Sequence, residues 1–353
     1  MKNDNQIDTQ DKFFLKAEWE EHKSTWIGWP HQKTDWPGKF EPIPWVFGEI
    51  VRKLSFNENV NVLVQSDKLL ESALYVLKKN GANLKNVVFD QFKTDRGWTR
   101  DSGPAFVKRN GKTELIKFGF NAWAKYKNYK KDRLLPDYIS KHYNLPMTPA
   151  VYNDKLVVLE GGSIDTNGKG TLVTTTECLL DEKVQTRNKG FKKDDYEKVF
   201  NEYFGVTNVL WLNKGIAGDD THGHVDDLCR FVNEKTVVLV QEENPKDANY
   251  KNLKENKEIL SDLLLQDGSK LEVIDLPMPE PLFFDGERLP ASYANFYIAN
   301  NIVLVPTFND PNDYKALGIL SEIFKDKKIN GIHAVDLVWG LGTIHCLTHE
   351  QIK

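Results

Sequence analysis

Three cysteines among 353 residues are too few for a disulfide framework. Apolar runs are short, and none approaches the roughly 20 residues that a helix needs to cross a bilayer. Positive charge is not in surplus: 47 Lys and Arg against 51 Asp and Glu leave a formal net charge of −4. That balance carries no basic footprint and speaks against nucleic acid as the main partner. The opening stretch, MKNDNQIDTQDKFFLKAEWEEH, is polar and acidic, with neither the apolar segment nor the cleavage site of a signal peptide. No low-complexity linker divides the chain. These absences predict one domain spanning 1–353 in a reducing cytoplasm, away from membranes, with self-association left open.

What is present suits a large core: 40% hydrophobic residues, including 19 Phe, 12 Tyr and 9 Trp. A recurring order of elements runs through it. Val60–Val64 is a β-branched run, Lys68–Asn80 has helical periodicity and Val87–Gln91 is strand-like. A hairpin is predicted from Ala105 to Phe118, turning at Asn110-Gly111. The order returns as hairpin Ser163–Thr175 (turning at Asn167-Gly168), helix Lys192–Phe204 and strand Asn208–Leu212. It returns again as hairpin Cys229–Gln241, helix Tyr250–Gln266 and strand Leu271–Leu276, and then as hairpin Ala294–Pro306, helix Asp313–Phe324 and strand Ile332–Val335.

The segments richest in reactive side chains fall at one place in this order, at or just after the third strand. They are Trp98-Thr99-Arg100-Asp101, Glu160-Gly161-Gly162, Gly223-His224-Val225-Asp226 and His345-Cys346. Asp101, Glu160, His224 and Cys346 are spaced by 59, 64 and 122 residues, the last being twice 61. A unit of about 60 residues that cannot bury its own face must stack or close radially, so equivalent strand ends converge. The vacant slot falls near Phe284-Asp285-Gly286.

Cys346 follows a glycine-bearing loop, Gly340-Leu341-Gly342-Thr343, that can carry a side chain to a ligand. A thiolate is a strong nucleophile, although most free cysteines are small buried hydrophobes. Cys178 and Cys229, inside apolar runs, read as that bland kind. On an extended segment His224 and Asp226 share a face, so a base and a carboxylate can reach one substrate. The run His222-x-His224-x-Asp226-Asp227 also resembles a metallohydrolase ligand set. It lacks the histidine expected at Asp227, and no metal is predicted. Asp101 lies in Asp-Ser-Gly-Pro, which alone could be a surface turn. Glu160 ends an apolar run, where a carboxylate needs a partner or a task. One cysteine, one histidine and three carboxylates, with no convincing metal set, suit a planar cation. Guanidinium presents a fork of N–H donors that carboxylates match two at a time.

These residues also carry a family resemblance along nearly the whole chain. Trp26-Ile27-Gly28-Trp29-Pro30, WTRDSGP at 98–104, EGGSIDTNGKGT at 160–171, DDTHGHVDDLCRF at 219–231, ASYANFYIAN at 291–300 and GTIHCLTHEQ at 342–351 resemble, in order and spacing, agmatine deiminases and the bacterial peptidylarginine deiminase-like proteins grouped with them. The resemblance implies an α/β fold, a five-bladed pseudo-symmetric α/β propeller of ββαβ units forming one catalytic domain over 1–353. It implies Cys346 as nucleophile, His224 as general acid/base and Glu160 as the carboxylate that orients it. Asp101 and Asp226 would grip the guanidinium, and Trp98 would line the pocket. No cofactor is implied. The implied reaction is hydrolysis of agmatine to N-carbamoylputrescine and ammonia through an amidino-cysteine. Alternatives are deimination of another guanidine, amidino transfer, guanidine binding without catalysis, and metal-dependent hydrolysis. Two departures bear on the substrate: Leu341 interrupts the glycine run, and His349-Glu350 replaces the usual glutamines. Asp285 and Glu287, in the vacant slot, are predicted to attract the distal ammonium. The aromatic segments 120–133 and 277–290 are predicted to close over the substrate.

Overall fold

The computed structural model describes residues 12–353. The part of the polar opening stretch before Lys12 lies outside the described residues. The fold is mixed α/β, and its strands group into five small mixed sheets and two two-stranded ribbons. Four of the sheets begin with an antiparallel hairpin. A helix then returns the chain so that the next strand lies parallel to the hairpin's second. In the first, Ala105–Arg109 and Lys112–Lys117 form the hairpin, helix Leu135–Tyr143 crosses over and Met147–Pro149 adds the parallel strand. The same path runs from Ile164–Thr166 to Asn208–Leu212, from Cys229–Phe231 to Glu272–Pro277, and from Tyr297–Ala299 to Lys328–His333.

The remaining sheet joins distant parts of the chain. Thr348–Ile352 pairs antiparallel with His22–Gly28, which continues in parallel to Asn59–Val64 and Val87–Gln91. The helices behave as local sequence dictates. Ser66 accepts the Leu69 N–H ahead of helix Asp67–Asn80, and Gly81 ends that helix in the left-handed region at φ 73°. Asn110 and Gly111 both take positive φ, as a tight two-residue hairpin turn requires.

Several boundaries differ from expectation. The turn after Thr166 runs through residues 167–171, because the Asn167 side chain accepts the Lys169 and Thr171 N–H groups and holds a wider loop. Helix Tyr250–Ser261 stops short of Gln266, and the last crossover strand is Lys328–His333, starting before Ile332. The vacant slot is a ribbon of Phe283–Phe284 against Glu287–Arg288, turning at Asp285-Gly286.

The core comprises three apolar clusters. The largest embeds Trp29, Phe47, Phe231, Tyr293 and Phe296 and reaches as far as Trp98 and Cys346. Each fully buried side chain of this size stabilises the fold by about 1.5–3 kcal/mol. The chemistry-bearing turns therefore rest on a packed floor. Each follows the last parallel strand of one sheet and leads towards the first strand of the next.

Candidate functional site

Cys346 sits in the short helix Ile344–Leu347 and is 6% exposed, at the floor of a cavity of about 440 Å³. The backbone comes close here because it must. A Cβ on Gly342 would stand 2.9 Å from the Trp98 ring and 3.3 Å from the Cys346 sulfur. Leu341, in the expected glycine run, holds φ 64° and lines the cavity, so a left-handed turn is kept with a side chain attached. The Trp98 indole also lines the cavity, donates to Asp35 Oδ2 at 3.0 Å and stacks on Trp36.

The structure brings all the expected polar residues together. Asp101 accepts the Trp123 indole N–H at 2.9 Å and the Gly162 backbone N–H at 3.0 Å. Gly162 has no room for a side chain: a Cβ would lie 2.5 Å from His224 Nδ1 and 2.9 Å from Asp101 Oδ1. His224 Nδ1 lies 3.9 Å from Asp101 and 4.0 Å from Asp226, and its Nε2 lies 4.0 Å from Glu160. Both ring nitrogens are buried without a hydrogen-bond partner. Glu160 therefore stands beside His224 without bonding it. Its carboxylate is taken by the Arg187 Nε–H, at 3.1 and 3.3 Å to its two oxygens.

Asp226 divides its oxygens. Oδ2 accepts from His345 Nδ1 at 2.7 Å and faces the Cys346 S–H at 3.7 Å, while Oδ1 is buried and unpartnered. Asn295 Nδ2 donates to the sulfur at 3.1 Å. Behind the sulfur is an ionic cluster. His345 Nε2 meets Glu18 at 2.7 Å, and Glu18 also receives Arg100, Arg230 and the Ile298 N–H. Arg230 is fully buried, also binds Asp165 at 2.8 Å, and donates to the Ala294 and Phe296 carbonyls.

Electrostatics follow from this crowding. Burial pushes the Cys346 thiol well above its ordinary range, and Asp226, Asp227 and Asp101 push further. Burial alone would lower His224, but Asp101, the Cys178 thiol and Asp226 outweigh it and hold the imidazole well above the usual histidine range. Burial raises Asp101. Burial would also raise Asp226, but the His345 hydrogen bond and charge prevail and lower it. These shifts favour a protonated sulfur and a cationic imidazole.

Other expectations are corrected. Cys178 lies on the short helix Thr176–Leu180, with its thiol within 4.8 Å of ligand atoms of His224 and Glu160. Cys229 is buried in a strand as expected. The His222 ring turns away from His224 to pair with Asp181 at 2.9 Å, so the sequence run does not form one ligand set. Among the described residues, two buried trios could hold a cation: Glu160, Cys178 and His224, and Asp226, Asp227 and Cys346. Glu287 lines the cavity, but Asp285 lies on the exposed ribbon turn. Asp35, Asp219 and Asp220 line the cavity unforeseen, with Arg96 and Arg288 among them.

His349 and Glu350, the second departure, face away from the sulfur's cavity. Glu350 meets Arg100 at 2.7 Å, and His349 donates Nε2–H to the Pro104 carbonyl. Burial pushes His349 down to about 4, so the folded protein keeps it neutral. An unfolded chain, with an ordinary histidine near about 6.5, binds that proton first as pH falls. Stability should then fall between about pH 6.5 and about pH 4, by up to about 3 kcal/mol. His349→Gln should flatten this limb in urea unfolding measured against pH. An unchanged limb would show that another group controls it.

Residues 14–351 match the Porphyromonas-type peptidyl-arginine deiminase family. The chain belongs to that family. A Mycoplasma capricolum protein named "Putative agmatine deiminase" is 35% identical over 370 aligned positions, which cover 98% of each chain. A Cys→Ser variant of the C. jejuni agmatine deiminase, solved with substrate bound, is 30% identical with a TM-score of 0.85, covering 97% of this chain and 96% of that one. The agmatine deiminase of Enterococcus faecalis is 29% identical with a TM-score of 0.88, covering 98% and 97%. The mixed α/β fold is thus that of solved peptidyl-arginine deiminase-family members over nearly their full length. Among the described residues no helix is long and apolar enough to cross a membrane.

Proposed function

We propose that this protein is an agmatine deiminase, hydrolysing agmatine to N-carbamoylputrescine and ammonia through a covalent amidino-cysteine. One observation carries the reading. A buried sulfur and Asp101 line one cavity, and next to them an unbonded histidine lies 3.9 Å from Asp101 and 4.0 Å from Asp226, whose Oδ1 is left without a donor. A guanidinium supplies both the missing donor and the missing charge. Relatives bearing the agmatine deiminase name, similar over their whole length, support it. The five sheets would be the blades of a pseudo-symmetric α/β propeller, one catalytic domain whose turns meet at the site.

Entry of the cation offsets the field of Asp101 and Asp226, and the Cys346 thiol gives up its proton to solvent. The thiolate attacks the guanidinium carbon, forming a C–S bond and a neutral tetrahedral adduct. Imidazolium His224 protonates one nitrogen, and ammonia leaves with cleavage of its C–N bond. Water then yields a proton to His224 and adds to the amidino carbon. The C–S bond breaks, thiolate returns, and the ureido product departs with the last proton released to solvent. Glu160, fixed by Arg187, supports the charge on His224 across the 4.0 Å gap.

The mouth favours agmatine over arginine. Asp35, Asp219, Asp220 and Glu287 share the cavity wall with Arg96 and Arg288; Arg96 is paired with Asp35, Arg288 with Asp247 and Asp220 with Lys125, which leaves Asp219 and Glu287. The unmatched charge is acidic, which attracts a distal ammonium and repels the α-carboxylate that agmatine lacks. Trp123 and Tyr126 add aromatic wall to the same cavity. Ammonia release should have its highest kcat/KM with agmatine, ahead of arginine, guanidinobutyrate and an arginine peptide, and should persist in EDTA. Equal or better use of arginine or the peptide would overturn the substrate assignment. Loss of activity with a stoichiometric metal would overturn the mechanism.

A further inference from the structure

Asn295 is fully buried in the turn before strand Tyr297–Ala299, and its amide is oriented without ambiguity. Its Oδ1 accepts the Thr343 hydroxyl at 2.6 Å and the backbone N–H of His345 at 3.0 Å. A peptide N–H can only donate, so that end of the amide is the oxygen. The NH2 end therefore points at Cys346 Sγ, 3.1 Å away. The loop that carries the nucleophile holds the amide in place, and the amide in turn holds the sulfur.

We propose that Asn295 is a catalytic residue, whose side-chain N–H stabilises the Cys346 thiolate both as it attacks the guanidinium carbon and as it leaves the ureido product. The proposal rests on the deiminase reading above. The groups that push the thiol upward are acids, Asp226 and Asp227 from the turn Val225–Asp227 and Asp101 from the short helix Thr99–Ser102, and the one cation among them, His224, is held between Asp101 and Asp226. His345, on the sulfur's own helix, is engaged by Asp226 and Glu18. In the first half of the reaction the substrate cation can counter these acids. In the second half the product is neutral, and the departing thiolate has no substrate charge beside it. A fixed N–H dipole is present at both moments and needs no reorganisation. Burial and the three acids, which push the thiol upward, are the load that this donor opposes.

Asn295→Asp is the sharpest test, because it keeps the shape and an oxygen for Thr343 and His345 while replacing the donor with an acceptor. Asn295→Ala removes the donor without adding charge, and remains informative if the aspartate variant does not fold. The first measurement is the pH profile of Cys346 alkylation by iodoacetamide in the intact, substrate-free enzyme, resolved from Cys178 and Cys229 by peptide mass. The second is the division of the kinetic effect between kcat and KM with agmatine. Half-reactivity should move up by about one pH unit or more in Asn295→Ala, and further in Asn295→Asp. In Asn295→Ala kcat should fall about 10- to 100-fold, the worth of a hydrogen bond to a charged group, with KM changed little. Asn295→Asp should lose more. An unshifted alkylation profile in a folded variant, whether or not activity falls, would overturn the role and leave Asn295 a structural residue. Cys346→Ser, run alongside, separates the two ideas. If it retains turnover the deiminase mechanism itself fails, whereas an inactive Cys346→Ser with unshifted Asn295 variants removes only the present proposal.

Discussion

Cys346→Ser should lower agmatine turnover by a factor on the order of a thousand or more while leaving agmatine binding in place. The two side chains are nearly the same size, and the serine would still meet Asn295 and Asp226. What changes is acidity. The Cys346 thiol is already pushed well up by burial and by three carboxylates, and in the proposed mechanism the substrate cation is what lets it ionise. A hydroxyl starts several pH units higher, and no single bound cation brings it within reach. The C. jejuni relative held its substrate as a Cys→Ser variant, in keeping with binding that survives the loss of the thiol. Steady-state ammonia release and calorimetric titration with agmatine make the comparison. Cys229→Ser should remain close to wild type. Cys178→Ser should lose part of its rate, since its thiol neighbours His224 and Glu160. More than a few per cent of wild-type turnover in Cys346→Ser would exclude a covalent sulfur intermediate.

Arg230→Ala should be the most destabilising single change near the site. Arg230 is buried beneath the site and binds Glu18 at 2.9 Å and Asp165 at 2.8 Å, while two backbone carbonyls accept from its Nη1. Alanine would strand two carboxylates in a low-dielectric interior, at a cost of about 3–5 kcal/mol. Many domains have only about 5–15 kcal/mol of stability in total. The urea midpoint should fall steeply, and activity should fall with it, because Arg230 helps to keep Asp226 ionised. Adding Glu18→Gln and Asp165→Asn should recover part of the stability, since the cost lies in the unpaired charges more than in lost contacts. An Arg230→Ala midpoint equal to wild type would mean that the cluster is solvated or its carboxylates neutral.

Periodicity made the repeated element order legible because every reactive turn follows the last parallel strand of a sheet. Asn110-Gly111 announced its turn because both residues take positive φ there. Asp101, Glu160, His224, Asp226 and Cys346 were readable as a set because each lies within four residues of a glycine. The partners that hold them were not. Glu18 lies 327 residues from His345, and Arg187 reaches Glu160 from a segment with no motif of its own. Asn295 was visible only as one letter in ASYANFYIAN, because its task depends on the orientation of an amide. The sheet that joins distant parts of the chain was equally hidden, since strand His22–Gly28 finds one neighbour near residue 350. Local pattern names the chemistry, whereas side-chain pairing across the chain names the supports.

That same sheet bears on how the enzyme is made. Cys346 stands two residues before the strand Thr348–Ile352, which must find His22–Gly28 across more than three hundred residues. Such long-range pairings are slow, because the loop must close before any contact repays it. During synthesis the acids proposed to grip the cation, Asp101 and Asp226, emerge ahead of the thiol. A nascent or half-folded chain is therefore inert, with its cysteine in water and ionising like any other thiol. It is then most open to alkylation and oxidation. Docking of the strand switches on catalysis and shields the sulfur in one event. Oxidative loss of this enzyme should fall mainly on newly made or transiently opened molecules.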